Sequence, residues 1–346
     1  MHAVGLIRGD GIGPEISDAA VRVLAATGVA IDWQAIVVGQ EARRRFGSDL
    51  PPPSLAQARR LRVLLKAPLR AERRSGGVMV DDPGGPRRYP SVNNGLRREL
   101  GAYVNLRPVR GWPRVSGAYH ALDLVIVREL TEDAYCGIER QVDADTAEAT
   151  KRITGTASRR VARFACDYAQ SAGRRRVTAV HKANVLHLTD GLFLESVRQV
   201  VAEHPLLEFD DRMIDATCYL LVKQPELFDV LVLPNQYGDI VSDLAAGLAG
   251  SLGLAPGVNF GEEVAIFEAA HGAAPDIAGR NVANPLGLIL SGALLLDHLE
   301  ERSAAARLRA GVARLLEEGT TLTPDLGGGA STSALADRLC GIVQDS

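Results

Sequence analysis

The chain has 346 residues, and its 42 acidic and 39 basic side chains leave a net charge of −3. This balance gives no general electrostatic case for nucleic-acid binding, and no apolar run approaches the roughly 20 residues that span a bilayer. The length favours two domains over one. The four cysteines lack CxxC spacing and the N-terminus lacks a signal-peptide layout, so we expect a cytoplasmic protein without disulfides or a zinc site.

The first quarter of the chain predicts strands that end in glycine-rich or proline-rich turns. Residues 4–8 read as a strand, a Gly-Asp-Gly-Ile-Gly-Pro-Glu turn follows, and a helix continues through Leu24. Pro14 suits a first helical turn, and the glycines alone are weak evidence for a nucleotide. A strand over residues 61–66 leads to residues 70–90, which are rich in Arg, Gly and Pro and predict a loop. That loop either contacts an anionic ligand or is simply solvated.

Three arginines at the ends of predicted elements are candidate ligands for a polyanion. Ser91 can cap a helix that contains Arg97, Arg107 follows, and Arg128 ends a strand over residues 122–128. Arginine binds carboxylates in bidentate fashion. The alternative is that each is an ordinary surface arginine.

The middle of the chain places a lysine where open α/β folds carry their chemistry. A turn over residues 129–139 carries Tyr135, and residues 147–172 predict one long amphipathic helix. A strand over residues 175–180 then leads to Lys182 and Asn184, at the carboxyl end of the strand. The chain has only four lysines, and lysine, unlike arginine, can lose its proton. Lys182 is therefore either a proton-transfer group or a lysine without a special role.

The stretch from Pro234 to Asp243 carries the strongest signal. It follows an apolar run over residues 228–233, predicted as a buried parallel strand, and leads into a helix of small residues. Asp239 and Asp243 are four apart and share one helical face. Two adjacent carboxylates suit a divalent cation with oxygen ligands, or they are acidic residues that favour a helix N-terminus. Farther on, we predict a strand over residues 264–268, a small-residue loop over 269–279, and helices around 288–299 and 304–316.

Taken together, these motifs resemble the β-decarboxylating dehydrogenases of the isocitrate and 3-isopropylmalate type. The resemblance runs through nearly the whole chain in one order. The Asn-Gln-Tyr-Gly-Asp-Ile-Val-Ser-Asp run is highly specific, the His-Lys-Ala-Asn and Glu-Ala-Ala-His-Gly-Ala-Ala-Pro runs are nearly as specific, and the Ser91 to Arg97 segment resembles the isocitrate branch. The matching segments are 9–15, 91–97, 105–108, 127–139, 181–193, 215, 235–243, 267–279 and 323–328.

The resemblance implies an α/β fold of two domains, unlike the Rossmann fold. A discontinuous large domain with the cofactor site would use residues 1–99 and 246–346. A smaller domain, residues 100–245, would carry the dimer and substrate contacts. Active sites in this family are shared between subunits, so the resemblance implies a homodimer in which Lys182, Asn184 and Asp215 act in the site of the partner chain.

The resemblance also implies roles for individual residues. A small tricarboxylate-like substrate would be oxidised by NAD with Mg²⁺ or Mn²⁺, with Lys182 taking the hydroxyl proton and Tyr135 protonating the enol. Substrate binding would fall to Ser91, Asn93, Arg97, Arg107, Arg128 and Asn184, and metal binding to Asp215, Asp239 and Asp243. Cofactor binding would fall to Ile12, Glu268, His271, Gly272, Ala274, Asp276, Ile277 and Asn284.

Asp276 favours NAD over NADP, because a carboxylate accepts hydrogen bonds from a free ribose hydroxyl and repels a 2′-phosphate. The chain departs from the family at Leu130, where Asn is usual, at Arg70, and in the long 71–90 loop. These departures leave the substrate open between isocitrate, the first candidate, and homoisocitrate, phosphonomethylmalate or 3-isopropylmalate. A non-catalytic regulatory subunit is the alternative of another class. It is disfavoured because Tyr135, Lys182 and the three aspartates are all present.

Overall fold

A computed structural model describes residues 1–70, 77–82, 85–112, 114–115 and 119–345. Its contacts divide the chain into two compact units. Unit 1 comprises residues 1–101, 111–120 and 249–346, and unit 2 comprises residues 102–110 and 121–248. Residues 111–120 thus group with unit 1, although the sequence placed them in the smaller domain. Within the described residues, no helix is long and apolar enough to cross a membrane.

The N-terminal part of unit 1 alternates strands and helices. The elements are β1 (His2–Ile7), α1 (Gly13–Ala26), β2 (Ile31–Ala35), α2 (Gln40–Phe46), α3 (Pro52–Leu61), β3 (Val63–Lys66), β4 (Val78–Asp82), β5 (Gly85–Tyr89) and α4 (Val92–Glu99). The prediction of a loop over residues 70–90 was wrong for β4 and β5, which pair as antiparallel strands. Its residues 71–76 and 83–84 lie outside the described residues. Ser91 caps α4 as predicted, since its hydroxyl accepts a hydrogen bond from the Asn94 amide at 3.1 Å.

Unit 2 follows as a second alternating series. Its elements are β6 (Val104–Arg110), β7 (Asp123–Glu129), β8 (Glu139–Gln141), β9 (Ala147–Ala149), α5 (Gly155–Ser171), β10 (Arg176–His181), α6 (Thr189–Val201), β11 (Glu208–Met213), α7 (Ile214–Lys223), β12 (Val230–Leu233) and α8 (Asn235–Leu248). The predicted helix over residues 147–172 was wrong at its start. Residues 147–149 form β9, which pairs with β8, and α5 begins only after Thr154, which caps it.

The C-terminal part of unit 1 adds two strands and three helices. They are β13 (Pro256–Phe260), β14 (Ala265–Ala269), α9 (Leu286–His298), α10 (Arg302–Glu318) and α11 (Thr332–Gln344). Helix α9 is apolar nearly all round and ten of its residues are buried, as expected for a helix inside a core. Helix α11 was not predicted.

In each unit, parallel strands bring their carboxyl ends to one edge. In unit 1, five strands pair side by side in the order β13-β14-β3-β1-β2, and among these five only β13 and β14 pair antiparallel. In unit 2, five strands pair side by side in the order β11-β10-β12-β7-β6, and among these five only β6 and β7 pair antiparallel. Strand β12 is fully buried and pairs in parallel with both neighbours, as predicted. Residues that follow β11, β10, β12 and β7 therefore gather along one edge of unit 2.

Candidate active site

Arg128 organises the edge of unit 2 where β7 and β12 end. It is the penultimate residue of β7 and is 3% exposed. Its Nε and Nη2 atoms donate to Asn235 Oδ1 at 3.0 and 2.8 Å, and Nη1 donates to Asp239. A buried guanidinium needs such partners, because an unpaired buried charge is costly. The first turns of α8 supply them directly after β12.

Tyr135 joins the same cluster from a short 3₁₀ turn. Its hydroxyl donates to Asp239 Oδ2 at 3.2 Å, and its ring lies 5.8 Å from the Arg128 guanidinium carbon. Partial burial and the neighbouring Asp239 carboxylate raise the pKa of Tyr135. The phenol is therefore held neutral near pH 7 and can act as a proton donor.

Arg107 repeats this pattern beside Asp243. It lies in the middle of β6 rather than at an element end, which corrects the sequence-based expectation. Its Nε donates to Asn105 Oδ1 at 2.8 Å, and its Nη1 donates to Asp243 Oδ1 at 3.1 Å and to the Ser242 hydroxyl. Asp239 and Asp243 thus lie on one face of α8 as predicted, and each faces a strand arginine.

Lys182 and Asp215 form a separate pair in unit 2. Lys182 follows β10 and Asp215 lies in the first turn of α7, and the Nζ to Oδ1 distance is 2.6 Å. This hydrogen bond to Lys182 lowers the pKa of Asp215. Asn184 follows Lys182 closely in the sequence, and its side chain is exposed.

The aspartates fit a metal by their chemistry but not as a complete set from one chain. Their side chains are substantially exposed, and carboxylate oxygens are the ligands that Mg²⁺ and Mn²⁺ prefer. Within the described residues, however, no group of three or more His, Cys, Asp or Glu side chains is close enough to hold an ion. To hold an ion, Asp239 and Asp243 would therefore need a further ligand.

Unit 1 carries a buried cluster around Glu268 of β14. Its carboxylate accepts hydrogen bonds from Lys66 Nζ at 2.5 Å, Arg97 Nη2 at 2.6 Å and Asn259 Nδ2 at 2.7 Å. Burial alone would raise the pKa of Glu268, but Lys66 and Arg97 outweigh it and hold that pKa well below the usual range. Burial also lowers the pKa of Lys66. Glu268 therefore orients Arg97 and is enclosed by its own partners.

Several polar atoms of unit 1 are oriented without a partner of their own. Among the described residues, Arg97 Nε, Asn93 Oδ1 and His271 Nε2 are buried and lack a hydrogen-bond partner. Burial lowers the pKa of His271, so its ring is neutral near pH 7. These orphaned atoms fit bound polar ligands, such as a substrate near Asn93 and Arg97 and a dinucleotide near His271.

The remaining predicted cofactor residues differ in how open they are. Asp276 and Gly272 are exposed in the loop after β14, and Ala274 and Ile277 are half-buried there. Ile12 is 4% exposed, and its amide donates to the Ala273 carbonyl at 2.9 Å, which fixes the glycine turn against this loop. Asn284 is buried and donates to Asp325 Oδ2 at 2.9 Å.

Comparison with known proteins agrees with this geometry. Residues 3–339 match the family model described as isocitrate/isopropylmalate dehydrogenase. The chain is 44% identical over 336 residues to the mitochondrial isocitrate dehydrogenase [NAD] catalytic subunit 5 of Arabidopsis thaliana, which covers 97% of this chain and 87% of that protein. It is 44% identical over 315 residues to the chloroplastic 3-isopropylmalate dehydrogenase of Solanum tuberosum, which covers 91% of this chain and 85% of that protein.

A solved structure of isocitrate dehydrogenase from Methylococcus capsulatus matches with a TM-score of 0.93 at 44% identity, covering 99% of this chain and 100% of that chain. The predicted family and fold are confirmed. The names of the relatives differ in substrate, so similarity alone does not choose between isocitrate and 3-isopropylmalate.

Gly238 tests the packing of Arg128 against α8. A β-carbon at Gly238 would lie 2.6 Å from Arg128 Cγ, whereas at Gly247 of the same helix it would meet nothing within 4 Å. We expect Gly238→Ala to lower the free energy of unfolding by about 1–3 kcal/mol through overpacking. We expect Gly247→Ala to raise it by up to about 1 kcal/mol through helix propensity. Denaturant titration measures both, and equal effects of the two changes would contradict the packing described.

Glu268 gives a pH-dependent prediction. Because its folded pKa is depressed, its contribution to stability is present above the unfolded pKa of about 4.3 and is lost as the pH falls below that value. We expect Glu268→Gln to lower the free energy of unfolding at pH 7 by about 3–5 kcal/mol. Between pH 5 and pH 3, the free energy of unfolding of this variant should fall less than that of the wild type. Denaturant titrations across that range measure this. Exposed Glu262 gives the matched control Glu262→Gln, and an acid slope in Glu268→Gln as steep as in this control would contradict the prediction.

Proposed function

The chain belongs to the isocitrate/isopropylmalate dehydrogenase family, and we propose that it oxidises and decarboxylates a 3-substituted (2R)-malate with reduction of NAD. Isocitrate is the first candidate substrate, and homoisocitrate, phosphonomethylmalate and 3-isopropylmalate are the alternatives. The observation that carries the proposal is the cluster in which Arg128, Tyr135 and Asp239 share hydrogen bonds beside the Arg107–Asp243 pair. It combines carboxylate-binding cations, a neutral acid and hard oxygen ligands.

The arginines bind the substrate carboxylates in this proposal. Arg107 and Arg128 are already fixed by asparagine oxygens, so little side-chain entropy remains to be lost on binding. In unit 1, Arg97 is fixed by Glu268 and keeps its Nε atom available. Ser91 and Asn93, in the first turns of the same helix, contribute neutral hydrogen bonds to the substrate, as does Asn184 in unit 2.

Two proton transfers and one hydride transfer complete the reaction. Lys182 takes the substrate hydroxyl proton while the C2 hydrogen leaves as hydride for the nicotinamide of NAD. The C3 carboxylate of the resulting ketone leaves as CO₂ and its bonding electrons form the enolate. Tyr135 then gives its proton to C3, a role that suits its raised pKa. When bound, Mg²⁺ or Mn²⁺ would supply a Lewis acid for the developing charge.

In this proposal, a homodimer supplies the third acidic ligand of the metal site. We place Asp239 and Asp243 in one subunit together with Asp215 of the partner subunit as the metal ligands, with Lys182 of the partner subunit as the base. Supporting this, unit 2 exposes several large apolar side chains on or beside α6, α7 and α8. They are Leu188, Leu192, Tyr219, Val222 and Ile240. Exposed apolar groups of this kind are typical of subunit contacts.

A cytoplasmic location stays a prediction.

A substrate panel tests the proposed activity. We expect the purified full chain, with Mg²⁺ and NAD, to turn over at least one of isocitrate, homoisocitrate, 3-isopropylmalate and phosphonomethylmalate, with CO₂ released in equal amount to NADH. A chelator should abolish turnover, and added Mg²⁺ or Mn²⁺ should restore it. No turnover on the whole panel would favour the regulatory-subunit alternative, and full activity in chelator would refute the metal requirement.

Asp276 decides the choice of dinucleotide in this proposal. Its exposed carboxylate would repel the 2′-phosphate of NADP, and like-charge repulsion of a few kcal/mol corresponds to a preference for NAD of about 100-fold in kcat/KM. We expect Asp276→Asn to narrow that preference while keeping most of the NAD activity. Steady-state kinetics with both dinucleotides measure it. Equal kcat/KM for the two cofactors in the wild-type protein would refute the proposal.

A further inference from the structure

Lys151 is a buried cation that neither the sequence motifs nor the proposed mechanism uses. It lies in the short segment between β9 and α5, and its side chain is 16% exposed. Its Nζ atom is 2.7 Å from Asp190 Oδ1, 3.4 Å from Asp133 Oδ1 and 4.3 Å from the centre of the Tyr237 ring. Both carboxylates are fully buried. Among the described residues, no other basic side chain lies within 4 Å of either carboxylate.

Asp133 holds two parts of the unit 2 site in place. Its Oδ1 accepts a hydrogen bond from the Ala134 amide at 2.7 Å, which caps the 3₁₀ turn that carries Tyr135. Its Oδ2 accepts from the Gln236 amide at 2.8 Å, in the first turn of α8. Its backbone has a φ of +74° and is tied to Arg152, the neighbour of Lys151. An aspartate in this conformation needs support from its surroundings.

Asp190 holds the other proton-transfer residue. It lies in the first turn of α6, and its Oδ2 accepts a hydrogen bond from the Lys182 amide at 2.7 Å. Both buried carboxylates therefore accept hydrogen bonds from backbone amides of the site, Asp133 with both oxygens and Asp190 with Oδ2. In each of them, Oδ1 is the oxygen that lies nearest to Lys151. Without the ammonium, two buried anions would face each other uncompensated, and one of them would have to move, admit water or take up a proton.

We propose that Lys151 is a positioning residue that sets the backbone at Tyr135 and at Lys182 through Asp133 and Asp190. The inference rests on the proposed function, since it assumes that these two residues transfer protons. Lys151 touches neither substrate nor cofactor in this account. Under the homodimer proposal, Tyr135 of one chain and Lys182 of the same chain serve different active sites, so one ammonium would position a group in each.

The test compares Lys151→Met, which keeps the length of the side chain but removes its charge, with Lys151→Arg, which keeps the charge. A misplacement of about 1 Å can cost about 100-fold in rate, so we expect Lys151→Met to lower kcat by about 10- to 100-fold. We expect its KM to change by less than about threefold, because the substrate arginines have other partners. Lys151→Arg should recover most of the lost kcat. Exposed Lys223 gives the matched control Lys223→Met, which should leave both constants unchanged.

A double variant that removes one positive and one negative charge distinguishes a positioning role of Lys151 from a simple loss of folded protein. Asp190→Asn keeps a carbonyl oxygen for the Lys182 amide but removes one anion. If uncompensated charge is what displaces the site, Lys151→Met with Asp190→Asn should recover at least about fivefold in kcat over Lys151→Met alone. All values are taken per folded protein, measured by denaturant titration. A kcat loss that this second change leaves untouched would overturn the inference.

The remaining outcomes are also decisive. Wild-type kcat in folded Lys151→Met would overturn the inference and leave the proposed function intact. A wild-type protein without activity on the substrate panel would overturn both. Should Lys151→Met yield no folded protein, Asp190→Ala examines the same link, because it removes both the acceptor of the Lys182 amide and the partner of Lys151. A kcat within twofold of wild type for that variant would overturn the inference.

Discussion

The structure of unit 2 depends on the burial of a permanently charged side chain, Arg128, at the carboxyl end of a strand. Arginine does not lose its proton in a protein. The cost of burying its charge must therefore be offset by hydrogen-bond acceptors, because a pKa shift cannot neutralise the side chain. Asn235 and Asp239 provide these acceptors. This requirement explains why α8 begins directly after β12, and why position 238, which faces the arginine stem, has no side chain. The same contacts bring Asp239 to Tyr135.

Unit 1 buries a charge of the opposite sign and also stabilises it with hydrogen-bonding partners. There the buried charge is an anion, Glu268, and two cations and an amide surround it. In both units the charged groups are fixed by partners that belong to the fold. Groups fixed before the ligand arrives need not reorganise during the reaction, which is the main source of electrostatic catalysis. A decarboxylation that develops negative charge benefits directly from this arrangement.

The sequence predicted the local features of the site and missed the contacts that support them. The shared face of Asp239 and Asp243 follows from a spacing of four, and the cap at Ser91 follows from its residue type. Strand β6 was missed because Asn105 and Arg107 make it look polar, although both are buried in the structure. Residues 147–149 were predicted as helix because Ala and Glu favour helices. They form strand β9 through pairing with β8, a contact that local residue preferences do not reveal.

Lys151 shows the same limit, since Asp133 and Asp190 are 18 and 39 residues away along the chain. The small number of lysines in the chain was the only feature of the sequence that pointed to Lys151.

The two single-residue departures from the family pattern can now be separated by burial. Leu130 is 5% exposed, and its side chain is part of the core packing. Arg70 is exposed, and its amide is fixed by Asp10 Oδ2 at 2.9 Å, beside the glycine turn. A fixed backbone with an exposed, long and cationic side chain is suited to select among anionic substituents. The residues that transfer protons are shared by every candidate substrate, whereas a residue that contacts the variable group at C3 need not be. The hypothesis that Arg70 or the 71–90 loop recognises an extra anionic group of the substrate therefore stays a prediction, and the substrate panel tests it.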